Sequence, residues 1–85
     1  MDMAPEPEPF LRIKLTADAD APFTVMFEPS GMTYDFSGGQ FMVADVVEPR
    51  GNELEIAHWQ GGVSVWAPGG VITRDADGQE LHRLD

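Results

Sequence analysis

Apolar and polar residues alternate along most of the chain after residue 9, which is typical of strands with one buried face. Residues 10–16 show the pattern clearly, because Leu11, Ile13 and Leu15 are each followed by a polar residue. Further short apolar-rich runs occupy residues 23–28, 32–36, 41–47, 54–59, 63–67, 71–74 and 81–84. The pattern predicts seven or eight short strands and no helix of convincing period.

Glycine pairs and Pro-containing turns separate these runs. Glycine adopts positive φ angles without strain, so three Gly pairs predict two-residue hairpin turns at residues 38–39, 61–62 and 69–70. Pro at the second position and Gly at the fourth predict type I turns at 28–31 and 48–51, and 75–78 predicts a tight turn ending in a Gly bulge. Frequent turns between short strands indicate a small all-β fold, an antiparallel β-sandwich or barrel.

The chain has 85 residues and divides into a tail and one domain. Pro5, Pro7 and Pro9 alternate with glutamates, which predicts an extended, flexible Pro/Glu tail over residues 1–9. Residues 10–85 suffice for a single β domain and are too few for two. The acidic N-terminal segment is the opposite of a signal or transit peptide, so we expect a cytoplasmic location.

The formal charge is −10, from 15 acidic and 5 basic residues. Nucleic-acid-binding proteins cluster Lys and Arg against phosphates, whereas the basic residues here are scattered along the chain. The charge therefore argues against direct binding to nucleic acid or to an anionic membrane, and no apolar run approaches the roughly 18 residues of a membrane span. A basic protein partner is electrostatically favoured, because an acidic field speeds its approach.

The Gly38-Gly39 turn predicts which side chains share the core face. A two-residue turn would place Phe36 opposite Phe41 and Tyr34 opposite Val43. The same register would set Asp45 beside Met32, at the open end of the core face. Water or a polar ligand could then reach the Asp45 carboxylate.

The Gly61-Gly62 turn predicts a second hairpin. Its register would pair Ala57 with Trp66, Trp59 with Ser64 and His58 with Val65. The aliphatic side chains then form one face, and Trp59 and Trp66 lie together on the other. Uncovered, they would form an aromatic platform suited to a protein partner. The alternative is that the chain ends or the strand at residues 10–16 cover them.

The sequence lacks the motifs of catalytic and metal sites. It has no cysteine, which excludes a disulfide framework, a thiolate zinc site and a cysteine nucleophile. His58 and His82 lack the H-x-H or H-E-x-x-H spacing of transition-metal sites. Residues 75–78 match part of a calcium loop without its first and twelfth ligands, and Asp18 with Asp20 form an isolated acidic pair. We therefore expect no enzyme activity, no metal and no cofactor.

Part of the chain resembles a set of short uncharacterised bacterial all-β proteins. The shared features are the E-P-x-G turn at residues 28–31, the Tyr34 and Gly39 positions after it, and the later strand Gly62-Val63-Ser64-Val65-Trp66. The resemblance implies a small β fold. It implies no activity, cofactor or catalytic residue.

These observations favour a non-catalytic acidic module that binds a protein partner through Trp59, Trp66, Asp35 and Glu55. One form is an inhibitor or immunity-type protein that occupies a basic, nucleic-acid-binding surface. A second hypothesis is a small-ligand-binding β-barrel that uses the polar side chains Tyr34, Asp45 and His58. A third is a homo-oligomeric structural protein, assembled through an unpaired edge strand or the Trp pair.

Overall fold

The computed structural model describes residues 8–18 and 21–85, so most of the predicted tail, and Asp20 of the acidic pair, lie outside the described residues. All eight elements of the described chain are strands. They are β1 (Leu11–Thr16), β2 (Phe23–Glu28), β3 (Met32–Phe36), β4 (Phe41–Pro49), β5 (Glu55–Trp59), β6 (Gly62–Trp66), β7 (Gly69–Arg74) and β8 (Glu80–Leu84). No helix in these residues is long and apolar enough to cross a membrane. The predicted all-β class is confirmed.

The strands form two sheets of four strands each. Sheet A has the order β1-β4-β7-β8 and sheet B the order β3-β2-β6-β5. Both sheets keep free edges, so the barrel alternative is wrong and the arrangement is sandwich-like. Five of the six strand pairs are antiparallel. The exception is β2 with β6, which is parallel. The pairing is thus mostly antiparallel, as the run of short strands and turns predicts.

One apolar cluster fills the space between the sheets. Phe27 of β2 is 2 % exposed, and its ring meets Tyr34 edge-to-face at a centroid distance of 5.8 Å. Alternation along the central strands β2, β4, β6 and β7 turns every second side chain toward this cluster, which removes apolar surface from water. Sheet B contributes Val25, Phe27, Val65 and the adjoining Ala67, and sheet A contributes Met42, Ala44, Val46, Val71 and Leu84.

The predicted hairpin at Gly38-Gly39 does not form. Both glycines have positive φ angles, 67° and 79°, but the turn carries the chain from sheet B to sheet A. Tyr34 therefore faces Val25 of β2 instead of Val43, and the predicted Phe36–Phe41 pairing is also wrong. The reason is that β4 is a central strand, with both edges already paired by β1 and β7. Its apolar character on both faces was the sequence signal for that position.

Asp45 consequently lies far from its predicted neighbour Met32. It pairs with Arg12 of β1 on one side and Ile72 of β7 on the other. Alternation turns Asp45 away from the core, because its neighbours Ala44 and Val46 face inward. The prediction of a carboxylate on the core face is wrong.

The β5–β6 hairpin forms with a register different from the predicted one. The turn falls at Gln60-Gly61, where Gly61 has a φ of 90°, and Trp59 faces Gly62. Ala57 then pairs with Ser64, and His58 with Val63. The predicted Ala57–Trp66, Trp59–Ser64 and His58–Val65 pairs are wrong. The shift preserves the alternation, so both tryptophans still share one face. They lie at opposite ends of the hairpin, however, so the prediction that they are adjacent is wrong.

The third glycine pair is part of a strand instead of a turn. Gly69 and Gly70 open β7, opposite Pro49 and Glu48 of β4. Gly69 has a φ of 108°, and a Cβ there would collide with the carbonyl oxygen of Glu48. The pair therefore allows close approach of two backbones beside a β-bulge.

The turn predicted at residues 75–78 joins β7 to β8 as expected. Oδ1 of Asp75 accepts hydrogen bonds from the backbone N–H groups of Asp77 and Gln79, both at 2.9 Å. The ladder shifts by one position between Thr73 and Arg74. Turn chemistry thus accounts for this fragment of a calcium-loop pattern.

Candidate functional site

The face of sheet B that points away from the core is the candidate site, and we call it the outer B face. Strand registers arrange its side chains in three rows across the sheet. The rows are Glu28–Trp66–Glu55, Thr33–Met26–Ser64–Ala57 and Asp35–Thr24–Gly62–Trp59. All four residues predicted to bind a partner, Trp59, Trp66, Asp35 and Glu55, lie on this face.

The two indoles are open to solvent. Trp59 is 38 % exposed and Trp66 is 45 % exposed. The strand predicted as a cover, residues 10–16, pairs with β4 in sheet A, and the C-terminal strand β8 also belongs to sheet A. Between the indoles lie the small side chains of Ala57 and Ser64. The result is a flat surface with an aromatic ring at each end.

The Trp59 end of the face is organised by contacts within the chain. A Cβ added to Gly62 would lie 2.5 Å from Cζ2 of Trp59 and 2.5 Å from the carbonyl oxygen of Thr24. The indole therefore packs directly on the backbone of Gly62. In the same row, the Thr24 hydroxyl donates a hydrogen bond of 2.5 Å to the Asp35 carboxylate.

The Trp66 end is different, because its acidic neighbours are not engaged. Glu28 of β2 and Glu55 of β5 flank Trp66 in register on the two sides. Within the described chain, neither carboxylate takes part in a salt bridge or a side-chain hydrogen bond. Both therefore depend on water for solvation.

The distribution of basic residues makes the outer B face acidic. None of the strands of sheet B carries a Lys or an Arg. Arg50 follows β4, and the other basic residues, Arg12, Lys14, Arg74 and Arg83, are on strands of sheet A. The strands of sheet B thus carry three carboxylates and no Lys or Arg, whereas those of sheet A carry three carboxylates and four basic side chains. Most of the net charge of −10 lies outside the strands.

The opposite surface, which we call the outer A face, consists of the outward side chains of β1, β4, β7 and β8. Nε of Arg12 lies 2.6 Å from Oδ1 of Asp45, and Nε of Arg74 lies 3.0 Å from Oδ2. Asp45 is only 2 % exposed. The hydrogen bond from Arg12, assisted by Arg74, holds the pKa of Asp45 below its usual range despite burial. Beside it, Arg83 makes two hydrogen bonds to Glu80 and lowers the pKa of that carboxyl.

A polar network closes the edge between the sheets. Oη of Tyr34 lies 2.7 Å from Oγ1 of Thr73 and 2.9 Å from Nδ1 of His82. Thr73 is fully buried, so this contact satisfies its hydroxyl. Burial raises the pKa of Tyr34, and the hydrogen bond with Thr73 partly offsets that effect.

The residues of the small-ligand hypothesis are not brought together. Tyr34 lies between the sheets, Asp45 is on the outer A face, and His58 is on the exposed edge strand β5. His58 shares the inward side of β5 with Ile56, which is 52 % exposed. In the described ranges, no three His, Asp or Glu side chains are placed to hold a metal ion.

Comparisons with protein-family models, with curated proteins and with solved structures find no match for this chain.

Two residues of the outer B face, Met26 and Glu28, were not predicted from the sequence. Alternation along β2 shows that both point away from Val25 and Phe27. Their position beside Ser64 and Trp66 depends on the parallel pairing of β2 with β6. No local sequence signal predicts a pairing between strands so distant along the chain.

Proposed function

We propose that the protein is a non-catalytic acidic module, acting in the cytoplasm, whose outer B face binds a basic protein partner. The observation that carries this proposal is a pair of exposed indoles on a sheet whose strands contain carboxylates and no Lys or Arg. Burial of the indoles would supply affinity, and the acidic side chains would select a basic surface.

The shape of the face supports contact with a protein surface. Trp is enriched among the residues that dominate binding energy, especially near the centre of an interface. The small side chains of Ala57 and Ser64 let a partner approach the sheet closely between the two rings. Glu28, Glu55 and Asp35 form an acidic border that also accelerates encounter with a basic partner.

One specific form of this function is inhibition by charge mimicry. A basic surface that binds phosphates would also attract a face with border carboxylates and aromatic rings. In this form the protein is an inhibitor or immunity-type protein that competes with nucleic acid.

The test is a titration of the protein into a panel of purified basic nucleic-acid-binding proteins, with and without a short DNA duplex. We expect binding that weakens with salt and a partner that releases DNA. The Trp59→Ala/Trp66→Ala variant should lose at least about tenfold in affinity. The matched control, Phe10→Ala/Leu81→Ala, removes two exposed apolar side chains outside sheet B, which are 77 % and 40 % exposed.

Three results would contradict the proposal: no binding across the panel, affinity independent of salt, or equal loss in the control. Light scattering on the free protein tests the homo-oligomer alternative. A concentration-dependent dimer that the Trp double variant abolishes would mean that a second copy occupies the outer B face.

A further inference from the structure

We infer that Trp66, Glu28 and Glu55 form a recognition site for a guanidinium group, the side chain of an arginine in the partner. This inference rests on the proposed function, because it names the chemistry that one end of the outer B face recognises. The site is one row of the sheet, with an aromatic ring in the centre and a carboxylate on each side.

The backbone fixes the spacing of this row. Glu28 is in register with Trp66 through the parallel pair β2·β6, and Glu55 through the antiparallel pair β5·β6. Neighbouring strands are about 4.8 Å apart, so Glu28 and Glu55 are placed one strand to either side of Trp66. An arginine stacked on the indole lies within reach of both flexible side chains. Trp66 is 45 % exposed, which leaves surface of its ring free for stacking.

Guanidinium chemistry matches this arrangement better than ammonium chemistry. A guanidinium is planar, stacks on an aromatic ring and carries five N–H donors that point outward in its plane. It can therefore stay stacked on Trp66 while it donates to Glu28 on one side and Glu55 on the other. A lysine ammonium is a compact, strongly hydrated charge that does not stack as a plane.

Two carboxylates elsewhere in the chain form ion pairs with arginines, which Glu28 and Glu55 do not form with any described residue. Asp45 is held by Arg12 and Arg74, and Glu80 is held by Arg83. Glu28 and Glu55 have no such partner among the described residues. At the other end of the outer B face, Asp35 already accepts a hydrogen bond from Thr24. The Trp66 row is thus the part of the face where an exposed indole lies beside carboxylates that make no ion pair or side-chain hydrogen bond with the described residues.

The experiment uses the full chain carrying Trp59→Phe, in which Trp66 is the single tryptophan. Its fluorescence is followed during titration with a blocked tetra-arginine peptide and, separately, with a blocked tetra-lysine peptide of equal charge. We expect a saturable change with both peptides and affinity at least about threefold higher for the arginine peptide.

The decisive variant adds Glu28→Gln and Glu55→Gln in the same background. We expect about fivefold weaker binding of the arginine peptide and loss of its advantage over the lysine peptide. The matched control, Glu8→Gln/Glu48→Gln, makes the same charge change at two exposed glutamates outside sheet B and should stay within about twofold. Circular dichroism and urea midpoints establish that every variant is folded.

Absence of arginine-peptide binding, equal affinity for the two peptides, or equal weakening in the control would each overturn the inference. Failure of the site and failure of the proposed function are distinguishable. If the basic protein still binds and Trp59→Ala weakens it while Glu28→Gln/Glu55→Gln does not, the proposed function stands and the guanidinium site falls. If no basic protein binds at all, both fall.

Discussion

The outer faces of the two sheets differ in whether their carboxylates are paired with basic side chains. On the outer A face, Asp45 is almost fully buried beneath Arg12 and Arg74, and Glu80 is paired with Arg83. On the outer B face, by contrast, the carboxylates flanking Trp66 have no basic neighbour on any strand of their sheet. The outer A face thus pairs Asp45 and Glu80 with arginines of the same sheet, whereas the Trp66 end of the outer B face leaves charge and aromatic surface in contact with water.

The difference shows why alternation alone does not identify a binding surface. Both faces follow the same period-two pattern, with every second residue turned outward. What separates them is the presence of complementary side chains on neighbouring strands. An outward side chain with partners on the adjacent strand serves stability, whereas one without such partners is available to another molecule.

The largest effect is expected from Asp45 on the outer A face. Asp45→Ala removes the acceptor of hydrogen bonds from both Arg12 and Arg74. We expect the free energy of unfolding to fall by about 3 kcal/mol, because charge-assisted hydrogen bonds to a buried group are lost. Urea denaturation at pH 7 measures it. If the free energy of unfolding changed as little as in an ordinary surface substitution, the interpretation that Asp45 is stabilised by the arginines of the outer A face would be contradicted.

Asp45 also makes the free energy of unfolding depend on pH. Its pKa is lower in the folded state than the value near 4 of an unfolded chain, so its contribution is present above about pH 4. That contribution is lost as pH falls through the folded-state pKa. Urea midpoints of the parent and of Asp45→Asn should therefore differ most near neutral pH and converge at low pH. A constant difference would show that protonation of Asp45 is not involved.

Gly62 on the outer B face is expected to give the next largest effect. Gly62→Ala would place a methyl group against the Trp59 indole and the Thr24 carbonyl oxygen. We expect a loss of about 2 kcal/mol from overpacking and a changed Trp59 fluorescence spectrum in a Trp66→Phe background. Ser64→Ala on the same strand is the control and should have little effect on either measurement. An unchanged spectrum would mean that the indole does not rest on Gly62.

A smaller loss of stability is expected from Tyr34, at the edge between the two sheets, and it serves as a reference for the larger effects. Tyr34→Phe removes a hydroxyl that contacts Thr73 and His82 while it keeps the ring that packs on Phe27. We expect a loss of about 1 kcal/mol, the net contribution of a hydrogen bond made by a buried group. Thermal and urea unfolding measure it, and Tyr34→Leu, which also removes the ring, should cost more.

The strands could be predicted from the sequence, whereas their assignment to sheets could not. Alternation and turn residues are local, and they located all eight strands. Positive φ at Gly38 and Gly39 is equally compatible with a hairpin and with a crossing between sheets. Only long-range packing decides between the two, as the buried position of β4 between β1 and β7 shows.

The candidate site was partly predictable for the same reason. Trp59, Trp66 and Glu55 lie on one hairpin, and the parity of their positions puts them on one face even with a wrong register. Asp35 joins them through two further strands, and its position relative to them was not predictable locally. Glu28 was missed altogether because a parallel pair links segments far apart in sequence.

The smallest effect on stability is expected when one glutamate from each face is replaced by glutamine. Glu80→Gln removes the negative charge that accepts two hydrogen bonds from Arg83, so it should lower the urea midpoint slightly. Glu28→Gln removes a charge that has no basic neighbour in its sheet, from a protein of net charge −10. It should leave the free energy of unfolding unchanged or raise it by a few tenths of a kcal/mol, because self-repulsion decreases. Added salt screens both kinds of interaction. It should therefore reduce the loss of stability caused by Glu80→Gln and also the gain caused by Glu28→Gln. If both substitutions destabilised the protein equally, Glu28 would have an internal role, and the contrast between the faces would fail.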